Sequence, residues 1–316
     1  MTKMVHVAVV GTGRVGQGVA YTLIFERYVE KLTLVDIKPK VAEMVKEELY
    51  HGLSAHGYDI EIEAFEHSKY IIENADLIVI SAGFPRKPGM TRRDLADENA
   101  KIIKDIVTST LDNNPKAWYF VITNPVDAMA TLAYKLAERK RTVIGTGTNL
   151  ETARFRTILS RALKVPMRMV EGFVGGEHGL AAVLLWSTVK IDGTPLEEYL
   201  KENKKEINKE EVVNYVKGIS MEVIKTLGGT RWGPAGSFIE IIRGIVLNTG
   251  KFLSYAVPRK FDNIDEPVHV TVPARLTRSL GPDIWNQLTK DEQEKIKEAA
   301  FAIYQTYSRA KNVVEK

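Results

Sequence analysis

Residues 4–36 read M-V-H-V-A-V-V-G-T-G-R-V-G-Q-G-V-A-Y-T-L-I-F-E-R-Y-V-E-K-L-T-L-V-D. Two apolar runs suited to buried strands bracket a glycine-rich turn and a helix-like segment. Gly11, Gly13 and Gly16 have the G-x-G-x-x-G spacing. In that pattern the first glycine makes a tight turn, the second lets a pyrophosphate approach the backbone, and the third allows close helix–strand packing. The helix that starts there turns unpaired N–H groups towards the phosphates. Asp36 closes the second run about twenty residues past the last glycine, where a carboxylate can accept hydrogen bonds from an adenosine ribose. Glycines alone are weak evidence and fit an ordinary strand–turn–helix. The flanking strands and the closing acid make dinucleotide binding the stronger reading.

Outward from this unit the pattern repeats. Val5–Val10, Leu32–Val35, Leu77–Ser81, Trp118–Ile122 and Val143–Gly145 are apolar runs fit for a buried parallel sheet. Helical periodicity lies between them, near 15–28, 39–50, 94–113 and 126–140. Such alternation predicts a doubly wound α/β sheet over residues 1–145. The texture changes in residues 146–316. A helix near 150–163 precedes a strand at Ala181–Val189, an Asp192–Gly193 turn, helices near 206–227 and 234–250, and short strands around 252–257 and 268–272. A capping box, Thr289 with Glu292, opens the last helix. This half reads as a mixed α+β domain.

With 316 residues, two domains and a large core are expected. The net charge of +4 is spread along the chain, which favours a solvated mixed-sign surface over nucleic-acid binding. Cysteine is absent, so disulfides, thiolate nucleophiles and thiolate metal sites are excluded. No run has the length of a membrane span and none reads as a signal peptide, so the cytoplasm is the expected location. His6, His51, His56, His67 and His269 show no metal-ligand spacing and read as structural; no metal is expected.

Four segments carry candidate chemistry. S-A-G-F-P-R-K-P-G-M-T-R-R-D-L, residues 81–95, lies past a strand end, where an open α/β sheet lines its ligand crevice. Its arginines suit a lid that brings guanidiniums onto an anion; the plain alternative is a surface loop. T-N-P-V-D, 123–127, follows the next strand, and Asn124 before Pro125 is biased to an extended or turn conformation, with a cis bond open to it. In N-L-E-T-A-R-F-R, 149–156, Glu151 and Arg154 share a helix face, as an ordinary ion pair also would. G-G-E-H-G, 175–179, places His178 between glycines, open to backbone approach.

Together these segments resemble the lactate/malate dehydrogenase family, in family order and over essentially the whole chain, with closest likeness to its lactate-dehydrogenase-like malate branch. The resemblance implies a Rossmann-type fold, NAD as cofactor, and a small dicarboxylate substrate. It implies His178 as proton donor and acceptor, Glu151 as its orienting carboxylate, and Arg92 as the loop group that polarises the carbonyl. Arg154 would grip the C1 carboxylate, Asn124 would place the carbonyl oxygen, and Thr230 would line the substrate. Gly11, Gly13, Arg14, Val15, Gly16, Asp36, Ala82, Gly83, Asn99, Ile122 and Asn124 would hold the cofactor. Arg86 stands where malate-type members carry arginine and lactate-type members glutamine. Closing the lid over pyruvate would leave that guanidinium poorly paired, at a cost of about 2–5 kcal/mol if fully desolvated.

Three positions depart from the family pattern. Glu151 replaces the usual aspartate and is one methylene longer. Thr230 is lactate-type, whereas Pro234 is malate-type, and Leu180 stands where an aspartate is common. The expected activity is NAD-dependent L-malate dehydrogenation. An L-lactate or dual-specificity 2-hydroxyacid dehydrogenase is the enzymatic alternative, and a dinucleotide-binding sensor the non-enzymatic one. The resemblance also implies a homo-oligomer, a tetramer or a dimer.

Overall fold

The computed structural model describes residues 4–66, 72–84 and 92–315, with the side chains of residues 92 and 93 outside that description. The N-terminal half runs β1 (Val5–Val10), α1 (Arg14–Leu23), β2 (Val29–Asp36), α2 (Val41–His56), β3 (Glu61–Glu66), β4 (Leu77–Ile80), α3 (Arg92–Thr110), β5 (Trp118–Val121), α4 (Val126–Leu136) and β6 (Val143–Gly145). These strands pair in parallel in the order β3-β2-β1-β4-β5-β6. That order reverses between β1 and β4, and the loops past the strand ends open there into a crevice.

Helices cover both faces, which explains the unbroken apolar runs. Side chains alternate across a strand. Val5, Val7 and Val9 of β1 therefore pack towards α1 and α2, while Ala8 and Val10 pack towards α3 and α4. Both sets are buried.

The C-terminal half runs α5 (Asn149–Leu163), β7 (Val170–Gly176), β8 (Ala182–Ile191), β9 (Thr194–Pro195), α6 (Leu196–Glu202), α7 (Lys209–Leu227), α8 (Trp232–Leu247), β10 (Phe252–Leu253), β11 (Ala256–Arg259), β12 (Val268–Thr271), β13 (Ala274–Leu276), β14 (Leu280–Asp283) and α9 (Lys290–Glu315). Its strands are antiparallel, and β11 joins β6 through Ala256 and Gly145, so one sheet runs through both halves. α9 crosses back: its Tyr307, Ala310 and Val314 complete the core beneath α3 and α4. The capping box forms as expected, with Thr289 N–H donating to Glu292 and Glu292 N–H donating to Thr289 Oγ1.

Several expected boundaries move. The helix placed at 39–50 continues to His56 and stops at Gly57, which takes φ +64° and caps it. The helix placed at 15–28 ends at Leu23, because Tyr28 is drawn to β1 by the Val5 N–H. The helix placed at 126–140 ends at Leu136, and Glu138 and Arg139 take positive φ. β3 and β7 were not expected. Glu61–Glu66 alternates glutamates with apolar residues, as an edge strand does, and Val170–Gly176 is too glycine-rich to read as one.

Candidate active site

The glycine-rich turn joins β1 to α1 at the switch point. Gly11 has φ +94°, and a Cβ there would stand 2.3 Å from the Ala82 nitrogen. A Cβ on Gly16 would stand 1.9 Å from the Gly11 oxygen. Both are therefore held to glycine by the protein itself. Gly13 differs: nothing lies within 4 Å of a Cβ there. The open space fits a group brought in from outside, and no side chain caps the α1 N-terminus. A phosphate fits this setting, since the first-turn N–H groups lack partners within the helix. Val15 packs partly buried against the core just inside α1.

Asp36 closes β2 over this turn. Its Oδ2 accepts from the Thr12 N–H at 2.8 Å and the Thr12 hydroxyl at 3.0 Å, and its Oδ1 accepts from the Lys38 N–H. The loops after β4 and β5, beside this turn, are equally tied. Ala82 N–H donates to Val10 O, and Ile122 N–H donates to Ile80 O. Buried Asn99 bridges two loops, donating to the Asn124 carbonyl at 2.6 Å and accepting from the Phe84 N–H at 2.6 Å. A Cβ on Gly83 would stand 2.9 Å from the Thr123 methyl, so these loops pack in contact. Asn124 is exposed and its bond to Pro125 is cis.

His178 stands on the turn between β7 and β8, far in sequence from its partner on α5. Two threonines set their register. Thr148 Oγ1 donates to the Val174 carbonyl, and Thr152 Oγ1, one turn on, accepts from the Val174 N–H. β7 is thereby pinned along α5, and His178 Nδ1 lies 3.1 Å from Glu151 Oε2. The other oxygen, Oε1, pairs with Arg154 at 3.3 Å. Glu151 is almost fully buried, whereas the His178 side chain keeps 22% of its surface exposed.

Electrostatics couple the pair. Burial opposes charge on Glu151, but the His178 imidazolium and Arg154 outweigh it and hold the carboxyl below its usual range. Burial likewise opposes the imidazolium, but Glu151 and then Asp127 outweigh it and raise His178 above 6.5. A histidine so placed can exchange a proton near neutral pH. The longer glutamate still reaches its partner, so the extra methylene does not separate them.

Arg154 and Thr230 line one cavity of about 560 Å³, together with Arg14, Leu150 and Pro234. Arg14 also lies against Gly228 and Gly229 across the opening. Arg86 and the Arg92 side chain lie outside the described residues. Of the histidines read as structural, His6 bonds Thr33 at 2.8 Å and buried His269 bonds the Val143 carbonyl at 2.9 Å. His67 lies outside the described residues. No group of three potential metal ligands forms among the described residues, and no helix there is long and apolar enough to cross a membrane.

One residue escaped the sequence reading. Asp127, in the first turn of α4, is buried and accepts the His178 N–H at 2.7 Å. The only signal was a charged residue two places after Pro125 on an otherwise apolar segment.

Comparison with known proteins bears on this architecture. Residues 5–145 match the lactate/malate dehydrogenase NAD-binding domain, and residues 148–312 match the family's α/β C-terminal domain. A malate dehydrogenase of Sulfolobus acidocaldarius is 40% identical over 304 residues, 96% of each chain. A lactate dehydrogenase from a Medee basin deep-sea metagenome superposes with a TM-score of 0.90 at 28% identity, covering 98% of this chain and 100% of that one. The malate dehydrogenase of Archaeoglobus fulgidus, solved with NADH, gives 0.85 at 29% identity, covering 96% and 99%. The glycine turn, the strand order and the full-length matches agree: this chain belongs to the lactate/malate dehydrogenase family and carries its NAD-binding domain.

Proposed function

We propose that this protein is an NAD-dependent L-malate dehydrogenase that interconverts L-malate and oxaloacetate. The observation that carries the reading is the His178–Glu151–Arg154 chain, whose Arg154 lines a cavity together with Arg14 of the dinucleotide turn. Residues 1–145 serve as the cofactor half and 146–316 as the catalytic half. When bound, the nicotinamide supplies or accepts the hydride.

The chain's own residues do the rest. The α1 N-terminus and Gly13 receive the pyrophosphate, and Asp36 accepts from ribose hydroxyls and repels a 2′-phosphate. Arg154 grips the C1 carboxylate through parallel hydrogen bonds. Nδ1 of His178 is held by Glu151, so Nε2 gives the proton to the carbonyl oxygen in reduction and takes it back in oxidation. Glu151 stabilises the imidazolium form. Asn124 places that oxygen, and Arg92 polarises it as the lid closes. Arg86 pairs with the distal carboxylate of the diacid. Thr230 favours a dual-specificity reading in which pyruvate is also turned over.

We also read the chain as a cytoplasmic homo-oligomer, a tetramer or a dimer. Exposed Tyr21, Met44 and Trp232 surround one further cavity of about 600 Å³, an apolar face suited to a second copy. Sedimentation velocity checks the assembly.

Oxidation of NADH with oxaloacetate and pyruvate in parallel, repeated with NADPH, tests the function. A preference for oxaloacetate of about 100-fold is expected, which is roughly 2.7 kcal/mol. Arg86→Gln raises pyruvate turnover relative to oxaloacetate. Equal rates on both acids in the native enzyme, or none on either, overturn the malate reading.

A further inference from the structure

Asp127 is a buried carboxylate in a place where an uncharged acceptor would suffice. Its Oδ2 accepts one hydrogen bond, from the main chain of His178, and its buried Oδ1 has no partner among the described residues. Burying a charge is costly unless something gains from it. It sits in the first turn of α4, where a helix terminus favours negative charge. It also lies three residues past Asn124. One side chain thus ties the Asn124 loop to the His178 loop, 51 residues apart in sequence.

We propose that Asp127 is a positioning residue for proton transfer: it fixes the main chain at His178 and adds a second negative charge behind the imidazole, beside Glu151. The inference rests on the reading of His178 as the proton-exchanging group. Burial pushes the Asp127 carboxyl up to about 7, against the His178 N–H that favours its charged form. Its charge therefore develops in the range where His178 works.

The other groups around it are few. The turn before β8 brings Glu177 and His178, and α5 brings Glu151 and Arg154. β12 brings His269, which burial pushes down to about 4 and keeps neutral. α3 brings Asn99 to the Asn124 carbonyl, and α3 and α9 otherwise pack on α4 through Ala100, Ile103 and Tyr307. Asp127 and Glu151 are the two carboxylates that raise His178.

Asp127→Asn and Asp127→Ser both keep an acceptor and remove the charge; Asp127→Ala removes both. In the two uncharged-acceptor variants the titration midpoint of His178 falls by about 0.5–1 pH unit. It is followed by NMR of 13C-histidine-labelled full-length protein, with the resonance assigned from His178→Asn. The alkaline limb of kcat/KM for oxaloacetate reduction moves down by the same amount, with plateau kcat within about three-fold and NADH affinity unchanged. Asp127→Ala loses kcat by about ten-fold or more while NADH still binds. An unmoved midpoint in whichever uncharged-acceptor variant folds overturns the proposal, as does wild-type kcat in Asp127→Ala. The NMR titration needs no substrate. Failure of native enzyme to turn over either keto acid would instead strike the functional reading and leave this test standing.

Discussion

The two walls of the crevice are built by different means. At the glycine turn the protein presents backbone: N–H groups at a helix start, brought close by Gly11 and Gly16, with Asp36 as the ionisable group that clamps the turn. At the His178 turn it presents side-chain charge: Glu151, Arg154 and Asp127 set around an imidazole and largely removed from water. A phosphate is large and permanently charged, so oriented peptide dipoles suffice to hold it. A proton moves only if the pKa of its carrier is tuned, which requires titratable neighbours at low dielectric. The first wall is marked in sequence by the spacing of Gly11, Gly13, Gly16 and Asp36. The second assembles residues from three elements.

That contrast is open to attack by mutation. His178→Asn removes the group at the centre of the charged wall. Turnover falls by about 10³-fold or more, with NADH binding followed by fluorescence left intact; loss of both together would mean that the walls are not independent. Glu151→Gln keeps the shape and removes the charge, and lowers kcat by roughly 10²-fold, more than Glu151→Asp does. Because Glu151 raises His178, the pH dependence has a definite sign. Malate oxidation needs neutral His178, so its rate falls as pH drops through the raised pKa, and Glu151→Gln moves that fall to lower pH. A reversed ranking of the two variants in kcat would separate Glu151 from proton transfer. The smallest effect belongs to the backbone wall. Gly13→Ala meets open space, so thermal stability changes by less than about 1 kcal/mol, while NADH affinity falls about ten-fold. Gly16→Ala instead drives a Cβ into the Gly11 carbonyl and destabilises the fold by roughly 1–3 kcal/mol. Equal behaviour of the two alanines in a melting experiment would refute the idea that the glycines serve different masters.

The parallel half of the fold was legible because each strand buried on both faces reads as an apolar run, and each run is followed by a helical period. The edge strand Glu61–Glu66 escaped for the converse reason: one side meets solvent, and its glutamates hide the pattern. Val170–Gly176 escaped because its glycines serve close packing against neighbouring elements rather than strand propensity. The site divides along the same line. Gly11, Gly13, Gly16 and Asp36 announce themselves by spacing. Glu151 and Arg154 lie three residues apart, so their pairing was open to sequence reasoning, and the family resemblance alone suggested His178 as their partner.

The linear order of residues by itself determined a dinucleotide turn, an alternating α/β half and the helix-borne Glu151–Arg154 pair, because each is marked by residue spacing or periodicity along one stretch of chain. Only the tertiary structure decided that Val174 docks between Thr148 and Thr152, that His178 consequently comes within 3.1 Å of Glu151, and that Asp127 lies buried beneath the same turn. These contacts span 22 to 51 residues of chain. They exist because sheet register and helix packing place separate elements side by side, and neither is written in any single segment.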